Sequence, residues 1–153
     1  MKKHISISTY GAALLLLLAG FSGCKKDELP ISNTPAIKFL SISPNPAIKY
    51  QDEVSIEIEY TDGDGDLGEN TPDVKNLFVT DSRNNVVSEF RINQLAPTGS
   101  SIIITGKLKI TLTPQGFLDD NNSSETTTFS IYVKDRAGNQ SNTVQTSVLT
   151  INQ

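Results

Sequence analysis

The seven residues Val54-Ser55-Ile56-Glu57-Ile58-Glu59-Tyr60 decide the fold class. Val54, Ile56, Ile58 and Tyr60 fall on one side of an extended chain and Ser55, Glu57 and Glu59 on the other, because side chains alternate faces along a strand. A helix would scatter the same set around its circumference, so the stretch reads as a half-buried β-strand. Ile102, Ile104, Leu108, Ile110 and Leu112 form a second apolar face opposite Lys107 and Lys109, and Gly106 within it marks a bulge or a close approach. Phe129, Ile131 and Val133 make a third.

Shorter candidates fill the intervals. Ile37 to Ile42 changes phase between Phe39 and Leu40, as a first strand does when it switches sheets. Leu77–Thr80 and Val86–Ile92 flank a hairpin-like turn at Asp81-Ser82-Arg83-Asn84-Asn85. Val144–Ile151 changes phase at Ser147-Val148, which suggests an edge-strand bulge. No stretch after Cys24 sustains a helical period. The expectation is an all-β Greek-key sandwich of about seven strands over residues 36–151. The segment FSIYVKDRAGNQSN, Phe129 to Asn142, resembles the last hairpin of bacterial Ig-like domains. That resemblance implies an Ig-like sandwich; without a cysteine pair or a tryptophan it is not of antibody type, and other Greek-key sandwiches stay open.

At 153 residues the chain holds one modest domain. Ahead of it, Lys2 and Lys3, the apolar run Ala12–Ala19 and the small residues up to Cys24 have the layout of an export signal. The run is shorter than the roughly 20 residues a spanning helix needs. The lone Cys24, preceded by Ser22-Gly23, resembles the lipobox of bacterial lipoproteins. The resemblance implies cleavage after residue 23, covalent lipid on Cys24 and attachment to a membrane through that anchor. Cys24-Lys25-Lys26-Asp27-Glu28 resembles the export tag of Bacteroidota surface lipoproteins, which implies display on the outer face of the outer membrane. Residues 24–35, with Pro30, Ser32, Asn33, Thr34 and Pro35, read as a flexible tether with a reach of roughly 35 Å.

Removal of the leader takes Lys2 and Lys3, which carries the net charge from −4 to −6 and argues against nucleic acid as a partner. It also takes His4, the single histidine, so Ser/His/Asp, Cys/His and histidine-ligated metal chemistry are excluded. One cysteine excludes an internal disulfide.

The remaining chemistry lies in Thr61-Asp62-Gly63-Asp64-Gly65-Asp66-Leu67-Gly68-Glu69-Asn70-Thr71-Pro72-Asp73. Alternate aspartates in a chain that bends back can point at one ion, and the glycines permit the bend. Their spacing resembles an EF-hand-type calcium loop. Asp62, Asp64 and Asp66 stand at positions one, three and five, the Gly68 carbonyl at seven, Asn70 at nine and Asp73 at twelve. It departs from that pattern at Leu67, in place of glycine, and at Asp73, in place of glutamate. In a sandwich the loop beginning at Asp135 lies at the same end, so Asp135 is a further candidate ligand. The competing reading is a solvated Asp-Gly turn, with Asp135 capping its own hairpin. Asp119-Asp120-Asn121-Asn122-Ser123-Ser124 lacks the alternation and reads as a solvated loop at the opposite end. The functional expectation is a non-catalytic, calcium-stabilised surface lipoprotein with an interaction or structural role toward a protein or glycan partner. The alternative is a small glycan-binding accessory lipoprotein of a polysaccharide-uptake system, with Tyr132 as the candidate platform.

Overall fold

In the computed structural model, residues 29–153 are described; the expected leader, the expected lipidation site Cys24 and the expected tag Lys25, Lys26, Asp27 and Glu28 lie outside them. The described residues hold no helix and ten strand segments. β3 (Val54–Asp62) is the middle of a three-stranded antiparallel sheet, between β1 (Ala36–Ser43) and β6 (Ile104–Leu112). Val54, Ile56 and Ile58 are fully buried, as alternation demands. On the outer face Glu57 stands opposite Lys109 and Glu59 opposite Lys107, so the exposed side pairs unlike charges in register.

A second sheet runs in the order β5 (Val87–Phe90), β4 (Leu77–Asp81), β8 (Phe129–Val133), β9 (Val144–Gln145). In a third, β10 (Leu149–Asn152) pairs antiparallel with β7 (Ser124–Thr127) and parallel with β2 (Ala47–Ile48). Side chains from all three sheets, among them Ile37, Ile56, Val79, Ile131, Leu149 and Ile151, meet in one apolar core. The result is a β-sandwich whose strands and core lie between Ala36 and Asn152.

Both phase changes mark real irregularities, with one reassigned. The phase change at Leu40 is a bulge within β1, which stays paired to β3 on either side of it. The crossing to another sheet comes later, past Pro44 and Pro46, where β2 joins β10. At the C-terminal strand the interruption falls where the alternation breaks. The pairing slips by one residue between Leu149–Thr127 and Gln145–Ser130, and the strand divides into β9 and β10. β9 is an edge, but β10 is flanked on both sides. Gly106 is a close approach and not a bulge: the β3–β6 register is unbroken, and a Cβ there would lie 2.7 Å from the Tyr60 hydroxyl. Ile102 does not share the buried face, since β6 begins at Ile104 and Ile102 is exposed. β2 and β7 were not anticipated; two residues carry no period, and Ser124-Glu125-Thr126-Thr127 has no apolar member.

Candidate metal centre

β3 ends by delivering Asp62 into the interior, with 0% of its surface exposed. Beyond it the chain turns sharply, with φ of 74° at Gly65 and 90° at Gly68, a region that favours glycine. The turn brings carboxylate oxygens of Asp62, Asp64 and Asp66 within 4.8 Å of one another. Two of the three side chains are fixed by one oxygen each. The Leu67 N–H donates to Asp62 Oδ2 at 2.8 Å, and the Ala137 N–H donates to Asp66 Oδ2 at 3.0 Å. In each of the three carboxylates, Oδ1 is buried and accepts no hydrogen bond.

An unsatisfied buried acceptor costs about 1–3 kcal/mol, more when charged. Burial, then the charges of Asp64 and Asp66, push the Asp62 carboxyl above its ordinary pKa. Burial, then the charges of Asp135 and Asp64, do the same to Asp66. Both shifts have the same physical cause: carboxylates held close to one another and partly withdrawn from water. A hard divalent cation relieves it by supplying the missing partner and the opposite charge.

The rest of the loop explains how the cluster is held. Leu67, the departure from the EF-hand-type pattern, is fully buried in the core and forms a β-bridge with Asp135. The Arg136 N–H donates to the Asp66 carbonyl at 3.3 Å, so the two loops do meet at one end of the sandwich. The remaining candidates have other attachments. The Gly68 carbonyl accepts from the Arg136 guanidinium at 2.9 Å. Asp135 accepts from the Asn139 backbone at 2.7 Å and its side-chain amide at 2.9 Å, capping its own hairpin beside the cluster. Asn70 is exposed and bonded to Gln94, and Asp73 is exposed in a turn, outside the group of converging carboxylates. Arg136 and Ser32, whose carbonyl accepts from the Gly63 N–H at 2.7 Å, are parts of this end that sequence reasoning missed. Arg136 was findable as the cation next to Asp135; nothing local singles out Ser32.

The acidic stretch after residue 118 is organised differently. Glu125 accepts from the backbone N–H groups of Leu118 and Asp119 at 3.0 and 2.8 Å, and Asp120 pairs with Lys49 at 2.7 Å. Tyr132 points away from the core, as expected, and stacks on Phe78 with ring centroids 4.7 Å apart. Lys134 Nζ lies within cation–π range of both rings, 5.6 Å from the Phe78 centroid and 6.0 Å from that of Tyr132. No protein-family model matches the chain, and no curated protein or solved structure matches it either.

Proposed function

We propose that the chain is a non-catalytic lipoprotein module, anchored through Cys24 at the cell surface, whose Ig-like sandwich is stabilised by calcium bound at Asp62, Asp64 and Asp66. The observation that carries the metal reading is the convergence of three carboxylates, Asp62 buried and Asp64 and Asp66 half-buried, each with one buried oxygen that has no partner. An all-oxygen, all-carboxylate donor set suits a hard ion and selects against thiophilic metals. Its work is structural: it holds the loop after β3 in the shape in which Asp66 accepts from Ala137 and Arg136 of the hairpin after β8, and so fixes one end of the sandwich. The glycan-binding alternative needs open ring faces. Phe78 and Tyr132 instead spend a face on each other, as cross-strand neighbours do. Glycan-array binding abolished by Tyr132→Ala would reverse that ranking.

Thermal melting of the mature chain with calcium and with chelator tests the metal reading. At a hundredfold excess over the dissociation constant, binding adds about 2.7 kcal/mol of stability. The melting temperature should rise with calcium and stop responding when Asp62, Asp64 and Asp66 are all changed to Asn. Identical curves, or a shift that survives the triple change, reject the site.

A further inference from the structure

The tether does not leave the sandwich freely at Ala36. Pro35 is fully buried, and the Asn142 side chain grips Ile37 on both sides, accepting from its N–H and donating to its carbonyl at 2.8 Å each. Further out, the Thr34 N–H folds back on Ser32 Oγ at 3.1 Å, and the Ser32 carbonyl takes the Gly63 N–H at 2.7 Å. A Cβ on Gly63 would lie 2.6 Å from the Ser32 oxygen and 2.7 Å from its carbonyl carbon. Glycine stands at 63 because another backbone lies directly on it, not because of its φ. The residue that holds the tether is thus the one between Asp62 and Asp64.

We propose that the acidic loop is a metal-dependent clasp for the tether: calcium at Asp62, Asp64 and Asp66 holds Gly63 where it captures Ser32, and loss of the ion lets the tether go. This rests on the calcium and lipid-anchor readings above. Asp62 is wholly buried, with one oxygen held by the Leu67 N–H and the other without a partner and turned toward Asp64 and Asp66, which calls for a ligand at this point. Without a cation the charges of Asp62 and Asp64 repel across Gly63, and the turn that aims its N–H spreads. With one, both side chains converge on a single centre and the amide direction is fixed. Release frees the chain from Ser32 to Thr34, up to the buried Pro35, three more residues or about 10 Å of reach between the sandwich and the lipid on Cys24. Calcium therefore sets how closely, and in what orientation, the module is held to its membrane. Because linkage is reciprocal, a docked tether also raises the affinity of the loop for calcium.

The test uses the mature chain from Lys25, which has no other cysteine, with Ile31→Cys carrying a spin label at a position that is 66% exposed. Calcium should give an immobilised spectrum and EDTA a mobile one. Adding Gly63→Ala, which forces the two backbones apart, should give a mobile spectrum in both. The melting temperature of that variant should still rise with calcium, and its calcium affinity should fall by about fivefold or more. Spectra that do not change with calcium, in a chain whose melting temperature does, overturn the clasp and leave the metal site standing. A melting temperature indifferent to calcium overturns both.

Discussion

Leu67 shows how a single residue can be misjudged by a motif and explained by a fold. At the sixth place of a calcium-type loop a glycine is usual. Here the position is a core position, fully buried and bridged to Asp135, and its N–H orients Asp62. Leu67→Ala should cost about 2–5 kcal/mol in urea unfolding, as large-to-small core changes do. It should also blunt the melting response to calcium, because the loop loses its anchor. Gly106→Ala makes a cleaner test of packing, with its added carbon 2.7–3.0 Å from atoms of the Tyr60 ring. A loss of about 1–3 kcal/mol is expected, and Tyr60→Leu should recover part of it by vacating the space. At this scale the three converging aspartates were legible, since alternation alone puts them on one side of a bent chain. The surroundings of Asn70 and Asp73 were not, because a spacing rule borrowed from helix-flanked loops carries no information on the path of a loop flanked by strands, which leaves Asn70 bonded to Gln94 and Asp73 exposed in a turn.

Among the elements, the end opposite the acidic loop depends on one side chain. Arg83, in the β4–β5 turn, pairs with Asp81 at 2.7 Å and Glu125 of β7 at 3.2 Å, and donates to the Gly116 carbonyl at 2.8 Å. It ties two sheets and a loop together. Arg83→Met should destabilise by about 3–5 kcal/mol, because Asp81 is left buried without its countercharge. Burial pushes Asp81 upward, but hydrogen bonds from Arg83 and Thr127 outweigh it and hold the carboxyl below its ordinary pKa. Backbone donors from Asp119 and Leu118 hold Glu125 down to about 2. Groups depressed on folding stabilise fully above their ordinary pKa and lose that contribution as pH falls through the folded value. The contribution of Asp81 and Glu125 should therefore be lost as pH falls from about 4.5 toward 2, and Glu125→Gln should flatten the pH dependence of stability in that window relative to the parent chain, in denaturant titrations at successive pH values. The long strands were readable because their apolar period survives for many residues. β7 was not: it is polar throughout and exists only because β10 lies beside it.

On the scale of the whole molecule, the proposed anchor and tag expect a domain open to the outside. Protease added to intact cells should digest it, and protection would place it on the inner face of the membrane. The sequence by itself determined the all-β class, the buried face of each long strand and the one cluster of acids worth testing. Each of these depends on residues a few places apart, where the geometry of an extended chain is fixed by covalent structure. Only the tertiary structure decided which irregularity is a bulge and which a crossing, that Arg136 bonds to the acidic loop while Asp135 caps its own hairpin beside it, and that the tether lies on Gly63. Those contacts join residues tens of places apart in the chain, and no local period encodes which distant backbone will fill a neighbouring space.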